Sequence, residues 1–129
     1  GDPSGGWIWP DETLCPDGSL AAAKLTALVA AEGSLAEQVA SVATYPIQRR
    51  SIEVDDKTAV MERVAAKLRD AYDDVTTTDG VRVSTADGWV LVRPSGTQPL
   101  IRITAEAETE DVVDDLLATT VERVESACE

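Results

Sequence analysis

Residues 89–107 read WVLVRPSGTQPLIRITAEA. Two apolar runs rich in β-branched residues, 89–92 and 100–107, flank a segment whose Pro94, Ser95, Gly96, Thr97 and Pro99 cannot continue a strand. The pattern predicts strand, loop, strand. Within the loop Gly96 allows a left-handed backbone, Ser95 and Thr97 offer hydroxyls, and Arg93 and Arg102 bracket them with fixed positive charge. Backbone N–H groups turned inward by a Gly-containing loop form a concave nest, and a guanidinium clamps two phosphate oxygens at once. The loop is therefore a candidate phosphate cradle. The same residues would also suit an ordinary hairpin loop with two solvated arginines.

Working outward, residues 81–85 read as a strand joined to 89–93 through the Asp87-Gly88 turn signal. Residues 45–54 read as a further strand, in which the adjacent Arg49 and Arg50 disturb the alternation and mark a bulge, or an edge with solvated arginines beside the loop. Asp55 or Asp56 then starts a helix with Val60, Met61, Val64, Leu68 and Tyr72 on one face. Thr109 caps a last helix, whose Val112, Val113, Leu116, Leu117, Val121, Val124 and Ala127 keep a helical period, with acids on the other face. The order β-α-β-β-β-α predicts an α+β unit over residues 44–129, a twisted antiparallel sheet with two helices on one face.

Upstream, Trp7, Ile8 and Trp9 read as a short strand stopped by Pro10. Asp17 is placed to cap a helix over about residues 19–31, rich in alanine and carrying Leu20, Leu25, Leu28 and Val29. Gly33 ends it, and Ser34 with Glu37 forms a capping box for a short second helix bearing Leu35, Val39 and Val42. Residues 1–43 lack the strands for a sheet of their own, and read as the tail end of an α/β domain plus a linker helix.

The 129 residues leave room for one domain with a partial second, and 24 acids against 11 bases give a net charge of −13. Such a charge repels nucleic acid and anionic lipid, which excludes both as partners. Only Lys24, Lys57 and Lys67 are lysines, and a lysine-poor acidic chain suits a salt-rich cytoplasm, so a halophilic source is expected. No apolar run is long enough for a bilayer, and no leader precedes a cleavage site, so a cytoplasmic protein is expected. Cys15 and Cys128 lie far apart and there is no histidine, which excludes a Cys/His metal cluster and an imidazole-activated nucleophile.

The segment RPSGTQPLIRITAEA resembles the phosphate-binding loop of the C-terminal domain of the phosphohexomutases, the family of phosphoglucomutase, phosphomannomutase and phosphoglucosamine mutase. That loop runs Arg, any residue, Ser, Gly or Asn, Thr, then Pro, an Arg and an acidic strand end. A second segment agrees: GDPSGG, residues 1–6, resembles the family's sugar-binding loop, usually written GExSGH, and WIWPDETLCPDGSLAAAKL resembles the strand, loop and helix that close the third domain. The resemblance implies a TATA-binding-protein-like C-terminal domain at 44–129 preceded by a remnant of the third domain, and hence a fragment. It assigns Arg93, Ser95, Gly96, Thr97 and Arg102 to the phosphate that is not being transferred, with Gln98 as a neighbour. It assigns Asp2 and Ser4 to the sugar hydroxyls, although Asp2 stands where the family usually has Glu, and Gly6 where it often has His.

The resemblance further implies an isomerase working by intramolecular phosphotransfer. A phosphoserine gives its phosphoryl group to a hexose phosphate, the bisphosphorylated sugar turns round, and the other phosphate returns to the serine with magnesium in support. Neither the phosphoserine loop nor an acidic metal loop of the DGDADR kind occurs in this sequence, and Asp55-Asp56 and Asp73-Asp74 read as caps and solvated charge. No catalytic residue and no metal ligand is therefore expected here. Hexose phosphate and the remaining domains are the implied partners, with mannose, glucose and glucosamine phosphate all open. The alternative is a non-catalytic small-anion-binding or protein-interaction domain of the same α+β shape.

Overall fold

Asp17 sits one residue before an alanine-rich run, and its side chain accepts from the Leu20 N–H at 2.9 Å to cap helix α1, Gly18–Glu32. The computed structural model describes residues 6–129 and divides into two units, Gly1–Ala43 and Thr44–Glu129. In the first unit Gly33, at φ +90°, ends α1 and donates its N–H to Val29 O. Helix α2 follows at Leu35–Ala40, but the Ser34 side chain makes no capping hydrogen bond, so the expected capping box does not form. Six residues bring the first turn and the last almost together, and main-chain bonds from Glu37 and Gln38 to Ser34 O hold the turn instead. The expected strand at 7–9 is also absent. Pro10 turns the chain so tightly that Trp9 O accepts from both Glu12 and Thr13, which leaves one isolated bridge, Trp9↔Thr13. Helix α1 buries no residue, and Trp7, Ile8, Leu25, Leu28 and Val29 stay exposed.

In the second unit an antiparallel sheet contains β1 (Ile47–Glu53), β2 (Val75–Thr76), β3 (Val81–Ser84), β4 (Gly88–Pro94) and β5 (Leu100–Ala107), in the order β1-β5-β4-β3-β2. Strand β1 is an edge with unbroken register, Arg49 opposite Thr104 and Arg50 opposite Ile103, so the arginine pair makes no bulge. Strand β2 was not anticipated, because two residues are too few to show an alternation. Helix α3, Lys57–Ala71, is capped by Asp56, whose side chain accepts from Thr58 N and Ala59 N. Helix α4, Glu110–Cys128, is capped by Thr109, which accepts from Val112 N.

Both helices cover one face of the sheet. Val60, Val64 and Leu68 of α3, and Val113, Leu117, Val124 and Ala127 of α4, pack on Val81, Val83, Val90, Val92, Ile101, Ile103, Ala105 and Ala107. The spacing of three to four residues in the helices and two in the strands puts each set on one side. Thr120, fully buried among them, gives its hydroxyl hydrogen to Leu116 O at 2.7 Å. At the helix seam Arg63 donates to Ala127 O at 2.6 Å and the Arg123 guanidinium lies 5.5 Å from the Tyr72 ring. Gln48 of β1 bonds Asp114 of α4. The opposite face of the sheet is left open. The register brings Arg49, Arg82, Arg93 and Arg102 onto that face together with Glu53 and Glu106, so arginines outnumber strand acids there in an otherwise acidic chain.

Candidate functional site

Strands β4 and β5 deliver the two bracketing arginines to the same place. Arg93 is the cross-strand partner of Arg102, so both side chains leave the open face at the end of the sheet where the loop begins. Like charges set opposite one another repel, and each is held by a different neighbour. Arg93 Nη1 lies 3.5 Å from Asp79 Oδ2, and Arg102 Nη2 donates to Gln98 Oε1 at 3.1 Å. The Asp79 contact is an exposed pair and adds little to stability.

The loop itself is fastened at several points. Ser95 N–H donates to Leu100 O and Leu100 N–H to Gln98 O, both at 2.9 Å, while Val54 N–H donates to Pro99 O at 3.0 Å. Ser95 is buried; Gly96, Thr97 and Gln98 are exposed. The left-handed backbone that Gly96 allows is not used: the glycines with positive φ among the described residues are Gly33 and Gly80. What Gly96 supplies is room, since nothing lies within 4 Å of where its Cβ would stand. The left-handed glycine beside the site is Gly80, at φ +93°, pressed so closely on β4 that a Cβ there would fall 2.7 Å from Arg93 Cβ and against Val92 O.

Thus Arg93, Ser95, Gly96, Thr97 and Arg102 come together at one end of the sheet, whereas Asp2 and Ser4 lie outside the described residues. Three contributors escaped the sequence reading. Lys57 donates to two loop carbonyls, Asp79 meets Arg93, and Gly80 supports the Arg93 backbone. The Asp-Gly pair at 79–80 was a visible turn signal; nothing in the sequence ties Lys57 to a loop 38 residues on. Among the described residues no group of three or more His, Cys, Asp or Glu side chains could hold a metal ion, and no helix is long and apolar enough to cross a membrane.

The pattern described as the phosphoglucomutase/phosphomannomutase C-terminal domain matches residues 51–123, the stretch that holds the arginine pair and the loop between. The chain belongs to this family. Among its relatives, a probable phosphoglucosamine mutase of Methanopyrus kandleri is 53% identical over 119 residues, covering 90% of this chain and 26% of that protein. One of the same description from Methanothermobacter thermautotrophicus is 50% identical over 117 residues, covering 86% and 26%. This chain therefore spans about a quarter of the length of these relatives. A solved structure of a phosphoglucomutase/phosphomannomutase family protein from Burkholderia thailandensis shares the fold, with a TM-score of 0.80 at 21% identity over 96% of this chain and 27% of that one. Aspergillus fumigatus N-acetylphosphoglucosamine mutase, solved with GlcNAc-6P and magnesium, has a TM-score of 0.62 at 17% identity over 89% and 22%. The α+β expectation for the C-terminal domain thus agrees with the family's fold.

Proposed function

We propose that this chain is the substrate-gripping end of a phosphohexomutase, an isomerase that interconverts hexose 6-phosphate and hexose 1-phosphate through a phosphoserine and a bisphosphorylated sugar. Arg93, Ser95, Gly96, Thr97 and Arg102 bind the phosphate that is not being transferred, and Asp2 and Ser4 bind sugar hydroxyls. The observation that carries this reading is the arginine pair facing across β4 and β5 at the mouth of an open loop. Two guanidiniums set opposite each other are unfavourable alone, but together they suit a dianion with three oxygens to share.

Among the hexoses, glucosamine phosphate is favoured, because both relatives named above are called probable phosphoglucosamine mutases. Transfer needs a nucleophile and a charge-stabilising metal, and we assign both to other parts of a longer protein, since this chain spans about a quarter of its relatives' length. Alone, the chain positions a sugar phosphate and does not convert it. The exposed apolar face of α1 is where those other domains would lie. The free thiols of Cys15 and Cys128 fit a reducing cytoplasm, and the acidic, lysine-poor composition fits a halophilic one.

Titrating the 129-residue chain with glucosamine 1-phosphate tests the reading. Saturable shifts of the amide signals of Ser95, Gly96 and Thr97, lost in Arg93→Ala, are expected. Shifts that Arg93→Ala leaves unaltered would overturn it.

A further inference from the structure

Lys57 opens α3, and its ammonium donates to two main-chain carbonyls of the loop, Ser95 O at 2.7 Å and Gln98 O at 3.0 Å. The helix does not explain its presence. A cation in the first turn faces the positive end of the helix dipole, and the carboxylate that offsets that end, Asp56, is already engaged by the N–H groups of Thr58 and Ala59. The loop does explain it, because both bonds are charge-assisted and join two elements that no other side-chain bond found among the described residues joins.

We infer that Lys57 is a positioning residue for the phosphate loop, setting the direction in which the Gly96 N–H is presented. The step is covalent geometry. In a trans peptide the C=O and the following N–H point opposite ways in one plane, so pulling Ser95 O toward the start of α3 turns the Gly96 N–H away from it. That N–H takes no main-chain partner among the described residues, and the space beside Gly96 is open. The second bond fixes the peptide between Gln98 and Pro99, which has no N–H to present, and so anchors the far end of the loop. Lys57 therefore acts through the backbone. It prepares a donor in advance, which lowers the ordering cost of binding.

This inference rests on the phosphate-binding reading, and its test separates the two. Glucosamine 1-phosphate is titrated into the 129-residue chain and into Lys57→Gln, Lys57→Arg and Arg93→Ala, following the Gly96 amide. Ile101 and Ile103 amides report whether the sheet is intact. Lys57→Gln is expected to weaken binding about three- to tenfold, the worth of one to two hydrogen bonds, and to lower the Gly96 amide order parameter without ligand. Lys57→Arg, which keeps charge and donors, recovers most of the affinity. The loss also persists at roughly 1 M NaCl, where a bare charge effect is screened. Binding by Lys57→Gln as tight as the unaltered chain's, or a loss that vanishes in high salt, overturns the positioning role while leaving the phosphate site standing. Undiminished binding by Arg93→Ala removes the site, and the inference with it.

Discussion

Arg93 and Arg102 are direct cross-strand partners, two guanidiniums on one open face with no carboxylate between them in the register. Asp79 and Gln98 each draw one arginine aside, at 3.5 and 3.1 Å. Such a pair is unfavourable by itself, and under the proposed function a bound phosphate would relieve the repulsion. Removing one member should therefore leave the fold unharmed while damaging binding. Arg93→Ala is expected to melt within about 0.5 kcal/mol of the unaltered chain, since exposed charges contribute little. Its affinity for glucosamine 1-phosphate should fall roughly tenfold to a hundredfold, the worth of a charge-assisted contact of ~1.5 to 3 kcal/mol. Arg93→Lys should recover only part, because lysine keeps the charge and loses the fork. Calorimetric titration beside a thermal melt of each variant decides the matter, and an Arg93→Ala chain that binds normally would contradict it.

The glycines near the site should respond in opposite ways. At Gly80 a side chain meets both a left-handed φ of +93° and the β4 backbone, its Cβ falling against Val92 O. Gly80→Ala should cost about 2 to 4 kcal/mol, of which about 1 to 2 is the conformation itself. Gly96→Ala meets open space at an ordinary φ, and should stay within about 0.5 kcal/mol. Urea unfolding monitored by the amide signals of Val90 and Ile103 measures both. Equal midpoints for the two variants would show that the close approach at Gly80 is relieved by some movement of β4.

That contrast shows what the sequence disclosed and what it withheld. Strands β4 and β5 were legible because alternating valines and isoleucines stop at Pro94 and resume at Leu100. Helices α3 and α4 were legible because Val60, Val64 and Leu68, and Val113, Leu117 and Val124, repeat with the helical turn. The loop's own chemistry made Arg93, Ser95, Gly96, Thr97 and Arg102 candidates and the resemblance assigned them, but their neighbours were not foreseen. Gly96 permits a left-handed backbone, but Lys57 and the Leu100 carbonyl hold that loop without one. Lys57 carried no local mark of its role, since its partners are distant in the chain. Trp7 to Trp9 looked like a strand through apolar content alone, and a strand needs a neighbour to pair with.

Salt should stabilise the protein if its acidic surface answers to a saline cell. With 24 acids and 11 bases the folded chain repels itself, and counter-ions screen that repulsion. The melting temperature is expected to rise by several degrees, on the order of 5 °C or more, between dilute buffer and molar salt. Potassium chloride and sodium chloride should act alike, because the effect is one of screening. A melt that does not move between about 0.1 and 2 M salt would remove the halophilic proposal while leaving the family assignment untouched.

The last prediction concerns the unequal protection of the two units. In the second unit Val64, Leu68, Val90, Val92, Ile101, Ile103 and Val113 are fully buried, each at 0% exposure, so opening β4 or β5 exposes the core. Helix α1 buries nothing, and its cohesion rests on the Asp17 cap, the Gly33 terminus and intrahelical bonds, together with contacts such as the Lys24 to Glu12 ion pair at 2.7 Å. Isolated helices of about this length are marginal in water even when rich in alanine. Amides within α1 should therefore exchange at least about a hundredfold faster than those of Val90 and Val92, a difference of about 3 kcal/mol in opening free energy. Hydrogen exchange by NMR on the 129-residue chain gives the comparison directly. Asp17→Ala should widen the gap by removing a cap worth about 1 kcal/mol, with no change in the β4 amides. Equal protection of α1 and β4 would mean that the apolar face of α1 has found cover in solution, and concentration dependence of the exchange would then reveal whether that cover is a second copy of the chain.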